Sequence, residues 1–240
     1  MRKGSLLFGL AILAVGCGGS GGGSDSGIEN PEVRFVNGAV DVASLEFRVN
    51  DRTEATVTYG EGNSNGFRSF KPETYDVMVR VPGQAEDAWA ETWDAGQDND
   101  YVIASYGLQS FGELPTKRLR FGKFQIDRNP PNGNKARLIV LNAFNREAGV
   151  ENVPVDFKNP GENPQFQLTN IAFGDATNFT VDSGSQTFDV RLTNAEQVFV
   201  SETLQLEAGK VYFVILGGTE NGTGTQAPDI KLVELQTETD

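Results

Sequence analysis

Val211-Tyr212-Phe213-Val214-Ile215-Leu216 is six apolar residues in a row, entered through Ala208-Gly209-Lys210 and left through Gly217-Gly218. A continuously apolar run of this length reads as a central strand covered on both faces. Tyr75-Asp76-Val77-Met78-Val79-Arg80-Val81 instead alternates with period two, which places Tyr75, Val77, Val79 and Val81 on one face of a half-buried strand. Thr187 to Leu192 behaves the same way, with Phe188, Val190 and Leu192 inward. The runs are separated by clusters of Gly, Asn, Asp and Pro, the punctuation of turns. No window sustains a helical period for three turns; Gln84 to Thr92 comes nearest and carries too few apolar residues. The chain is all-β.

The runs recur in the same order. Val33-Arg34-Phe35-Val36-Asn37 matches Leu138-Ile139-Val140-Leu141-Asn142, and Leu45 to Val49 matches Val153 to Phe157. Tyr59-Gly60 corresponds to Phe173-Gly174, and Thr74-Tyr75-Asp76-Val77 to Thr187-Phe188-Asp189-Val190. Tyr101 to Gly107 pairs with Val211 to Gly217; Leu119 to Asp127 and Ile230 to Leu235 close the two units. Two copies with similar spacing are a duplication. About seven strands in about 100 residues predicts two tandem Ig-like β-sandwiches, residues 31–129 and 134–240. Between them lies Arg128-Asn129-Pro130-Pro131-Asn132-Gly133-Asn134, a stiff polar stretch of the kind that separates domains.

What precedes the repeats concerns location. Met1-Arg2-Lys3 is a basic start and Leu6 to Val15 an apolar stretch too short to cross a bilayer as a helix, so residues 1–16 read as a signal peptide. Leu13-Ala14-Val15-Gly16-Cys17 resembles the bacterial lipobox, in which the cysteine is lipidated and becomes the new N-terminus; Ala14 stands where Leu is commoner. Cleavage after Gly16 as a soluble secreted protein is the alternative. Cys17 is the single cysteine of the chain and falls at the cut, which favours lipid attachment there. Residues 17–30 then supply a Gly/Ser tether. Gly18, not Asp, follows the cysteine; the sorting rule of Gram-negative lipoproteins then implies the outer membrane.

Taken together, Val-Arg-Phe-Val-Asn opening a unit, Thr-Tyr-Asp-Val within it and Ala208-Gly209-Lys210-Val211-Tyr212-Phe213-Val214 near its end resemble the bacterial domain-of-unknown-function 4397 family. The resemblance spans about residues 31 to 236 and implies an exported or lipid-anchored protein with the domain in tandem. Many members carry a His after the first strand, where this chain has Asn37 and Asn142. The family brings no activity to transfer.

Composition bounds the chemistry. Twenty Lys and Arg against 33 Asp and Glu leave a formal charge of −13, a surface that repels phosphate backbones and argues against nucleic acid as a partner. The chain has no histidine, which removes His-based triads, general bases and metal ligands together. Ser-x-x-Lys does not occur. No cofactor and no catalytic residue is expected.

Two features nevertheless offer sites. Asp94-Ala95-Gly96-Gln97-Asp98-Asn99-Asp100 places Asp94, Asp98 and Asp100 as candidate oxygen ligands for Ca²⁺, but the spacing misses the EF-hand loop and is better read as a hydrophilic turn feeding the strand at Tyr101. Trp89 and Trp93 form a candidate aromatic platform for a sugar or partner; the favoured reading is that they pack on the sandwich edge, since large aromatics usually find the core. Asn178-Phe179-Thr180 and Asn221-Gly222-Thr223 read as turns. The function expected from all this is a non-enzymatic lipoprotein of the bacterial outer membrane or cell surface. It would be held to the membrane by its lipid and act as a binding, adhesion or structural module toward a polysaccharide or envelope protein. The alternative is an envelope hydrolase working with carboxylates alone.

Overall fold

The computed structural model describes residues 29–110 and 114–238. The first repeat contains β1 (Glu32–Asn37), β2 (Ser44–Val49), β3 (Arg52–Thr58), β4 (Arg68–Ser69), β5 (Thr74–Arg80), β6 (Trp89–Asp94), β7 (Asp100–Tyr106) and β8 (Arg120–Ile126). The second contains β9 (Lys135–Asn142), β10 (Val155–Lys158), β11 (Gln167–Ile171), β12 (Ala176–Asp182), β13 (Gly184–Leu192), β14 (Val198–Leu206), β15 (Val211–Gly217) and β16 (Asp229–Leu235). Each repeat is a sandwich of two four-stranded sheets: β4-β1-β7-β8 on β3-β2-β5-β6, then β12-β9-β15-β16 on β11-β10-β13-β14. Strand for strand, the two orders are the same.

The order is not that of the immunoglobulin sandwich, in which the first two strands share a sheet. Here β1 and β2 lie in opposite sheets, and β1 runs parallel to β7. The switch is made at Asn37-Gly38. Gly38 donates its amide to the Ser105 carbonyl at 3.0 Å, and a Cβ at this position would sit 2.7 Å from that oxygen, so only glycine lets the chain turn this close to β7. The Ig-like expectation is thus corrected in its topology, while the paired sandwiches stand.

Register tests the repeat residue by residue. Phe47 faces Val79 and Val49 faces Val77; Val155 faces Leu192 and Phe157 faces Val190, so Leu45 to Val49 and Val153 to Phe157 occupy equivalent places. Gly60 and Gly174 each donate to the carbonyl of the Asn that ends the first strand, Asn37 or Asn142, at 2.8 Å. One match shifts by a residue. Val33 pairs with Tyr101 and Leu138 with Tyr212, so Tyr101 corresponds to Tyr212 and Gly107 to Gly218. Both glycines have positive φ, 89° and 91°, and both tyrosine hydroxyls accept an amide five residues earlier, from Gly96 and Glu207. In a run that is apolar at every position, nothing in the residue types fixes the phase.

Three cores hold the described residues together. The first sandwich closes over Val33, Phe35, Phe47, Val77, Trp93 and Ile103; the second over Leu138, Val140, Phe157, Phe188, Val214 and Leu216. The third lies between the repeats, where Val36, Val102 and Ala104 meet Leu141, Phe213 and Ile215. β15 therefore buries Tyr212, Val214 and Leu216 in its own sandwich and Val211, Phe213 and Ile215 against the other repeat. The expected double cover is present, and its second layer is the neighbouring repeat. The result is one four-layer stack. The polar stretch after residue 127 is tied into it: the Arg128 guanidinium is nearly buried, binds Asp100 at 2.7 Å, donates to Glu32, and lies over the Phe67 ring.

Candidate functional site

The seam between repeats is built from equivalent parts used reciprocally. Tyr59 of the first repeat reaches over the second, where its hydroxyl donates to Asp229 at 2.8 Å and Lys231 covers its ring. A Cβ on Gly217 would lie 2.3 Å from that hydroxyl, so the glycine is the hole for this knob. In return Phe173 of the second repeat packs edge-on against Tyr106 of the first, with Arg120 over the same ring. Since Tyr106 pairs with Arg120 as Gly217 pairs with Asp229, the contacts exchange places as in a two-fold interface. Burial, and then the Asp229 charge, push the Tyr59 phenol well above its ordinary pKa, so it remains a donor across the working pH range.

Lys117 locks one end. Its side chain is buried, at 1% exposure, and its ammonium donates to the carbonyls of Arg146 at 2.8 Å and Glu147 at 2.7 Å, both in the other repeat. Burial lowers its pKa, and the Glu151 charge acts in the opposite sense. Beside it Arg146 clasps Glu220 with two bonds, 2.9 and 3.1 Å, which hold that carboxyl below its usual range.

The two long sides of the seam differ. On one, the stretch from Tyr59 to Phe67 lies across β16: Gly60 rests on Lys231, Gly62 on Arg34 and Val233, and Gly66 on Gln236. That side is filled. The equivalent stretch of the second repeat becomes β12, which pairs with β9 along all seven of its residues and so stays in the plane of its sheet. The space between β12 and β8 is left as a groove. It comprises a cavity of about 410 Å³ and a second of about 370 Å³, which share Phe124, Ala176 and Thr177. Asn178 and Thr180 project into the first cavity, so the first sequon-like triplet is mid-strand and not the expected turn, because its residues alternate between core and groove.

The sites expected from sequence fare differently. Cys17, the signal peptide and the tether lie outside the described residues. Asp94, Asp98 and Asp100 do not converge. Asp94 ends β6 and accepts from Thr74, Asp98 caps the Glu29 amide at 2.8 Å, and Asp100 is bound to Arg128. Among the described residues no group of three or more acidic, His or Cys side chains could hold a metal, which corrects the Ca²⁺ candidate in favour of the turn. Trp93 is 3% exposed and stacks on Tyr75 at 5.5 Å, while Trp89 points to the same core and is covered by Arg118. Period two puts both on the inner face of β6, so they form no exposed platform. A cavity of about 510 Å³ does gather acids at the first repeat's end, but Asp100 and Glu32 are already committed to Arg128. Sequence reasoning missed Lys117 and the groove. The second apolar face of β7 and β15 was the available signal that something packs there.

Comparison with known proteins adds little. No family model matches the chain, and no curated protein does. Among solved structures, the Bacillus anthracis TIE protein is similar at 12% identity and a TM-score of 0.27, over 80% of this chain. The chain spans about a third of the length of that structure, 34%.

Proposed function

We propose that this protein is a non-enzymatic lipoprotein of the bacterial outer membrane or cell surface, moored through Cys17 and acting as a binding, adhesion or structural module of the envelope. The observation that carries the reading is the open groove along a seam that is otherwise locked, a fixed concavity on a rigid stack. Rigid scaffolds bearing a preformed concave site are the usual form of binding modules. The sequence before the repeats supports the location: a basic start, an apolar stretch, a small-residue junction at Cys17 and a Gly/Ser tether. The resemblance to the domain-of-unknown-function 4397 family, whose members are often exported or lipid-anchored, supports it too. The acidic balance of the chain, a formal net charge of −13, directs the choice of partner away from nucleic acid and toward a polysaccharide or an envelope protein.

Intact-mass and peptide mass spectrometry of the protein purified from envelopes is the direct test. A first residue Cys17 carrying a diacylglyceryl thioether and an N-acyl chain is the expected product. An unmodified N-terminus, or protein recovered wholly from the medium, would refute the mooring. Pull-down from solubilised envelopes with the tagged chain then asks for the partner.

A further inference from the structure

We propose that the groove between β8 and β12 binds an uncharged oligosaccharide chain; this rests on the binding-module reading above and gives it a site and a ligand class. The groove follows two seven-residue strands, roughly 20 Å at the usual rise, and its two joined cavities provide room for a chain of rings. Its apolar lining consists of the half-buried Phe124 ring with Ile126, Ile139 and Ala176. Its walls are neutral and polar: Gln125 from β8, Thr177, Asn178 and Thr180 from β12.

The cations along it are spent within the protein, and the remaining carboxylate, Asp175, adds negative charge. Lys123 is held by Glu91 at 3.0 Å and the Thr92 carbonyl at 2.8 Å, and Arg137 by Asp127 at 2.7 Å. A phosphate or carboxylate ligand would therefore meet no free cation among these groups, and would approach a surface of the same sign. Asn178 and Thr180 are exposed, and their side chains engage no partner among the described residues, so their donors and acceptors are available. Hydroxyl-rich rings have polar edges and apolar faces, which suit amide and hydroxyl walls beside an apolar lining. The opposite side of the seam shows that a segment of chain fits such a place, since residues 59–67 occupy it there.

The test uses the full chain on an array of neutral and acidic glycans, followed by calorimetric titration with the strongest neutral oligosaccharide. Asn178→Trp and Thr180→Arg block the groove from exposed positions outside the cores; Gln205→Ala on β14 is the distant control. The expected result is retention of neutral glycans, at least tenfold weaker in both blocking variants at unchanged melting temperature and unaltered in the control. Binding that survives both substitutions, or retention of acidic glycans alone, overturns the proposal. If no glycan binds but an envelope protein is captured, the saccharide assignment fails and the binding module stands. If nothing is captured either, both fail.

Discussion

Asn37 and Asn142 are the clearest case of single residues that carry architecture. Each ends a first strand, is fully buried, and binds across to the strand beyond: Asn37 donates to the Val57 carbonyl at 3.1 Å, Asn142 to that of Ile171 at 2.9 Å. Each also accepts an amide two residues on, from Ala39 and Phe144, and Asn37 accepts the Ser105 hydroxyl as well. A buried polar group left unpaired costs about 1–3 kcal/mol. Asn37→Ala is therefore expected to lose more stability than Asn142→Ala, both measured by urea unfolding. The reverse order would contradict these networks. Lys117→Met strands two carbonyls in the same way, and a loss of about 1–3 kcal/mol is expected; an unchanged urea midpoint would show that the lock is dispensable. At Glu220 the prediction concerns pH. Its carboxyl is held low, first by the hydrogen bonds from Arg146, so the stability it contributes is complete above the ordinary glutamate value of 4.5 and is lost as pH falls below it, through the depressed folded value. Between about pH 6 and pH 2, Glu220→Gln should flatten this part of the acid limb. An identical acid profile in the variant would remove the pair from the account.

At the scale of elements, β15 is the informative strand. Its six apolar residues divide evenly between two cores, and Phe213 sits on the seam side, fully buried and 6.1 Å from Phe124 of the other repeat. Truncating a buried Phe costs about 3–5 kcal/mol, so Phe213→Ala should lower stability by that order even though the residue lies outside either sandwich interior. A loss below about 1 kcal/mol in chemical denaturation would mean that the seam is loosely packed. That β15 is a strand with both faces covered was legible from residue type alone. What covers it was not, and neither was its register, because an apolar run offers no alternation to mark the phase. The alternating strands were easier: Tyr75, Val77 and Val79 face inward as their period requires. The same period puts Trp89 and Trp93 on the inner face, where burial, not display, is the outcome.

Across the whole molecule, the third core decides how the chain behaves. Two sandwiches joined by a polar stretch would unfold independently, whereas two that share a buried apolar seam, a buried lysine bonded across it and the Tyr59–Asp229 hydrogen bond stabilise one another. Differential scanning calorimetry should therefore show a single transition whose calorimetric and van't Hoff enthalpies agree. Two separable peaks would return the repeats to independence. The amino-acid sequence by itself determined the all-β class, the duplication, the acidic surface and the absence of histidine chemistry, because these depend on residue type, period and order along the chain. Only the tertiary structure decided the sheet order, the fusion of the repeats and the side of the seam left open. An apolar face specifies that it must leave water but not which surface will cover it, and that choice is made by contacts between residues distant in sequence.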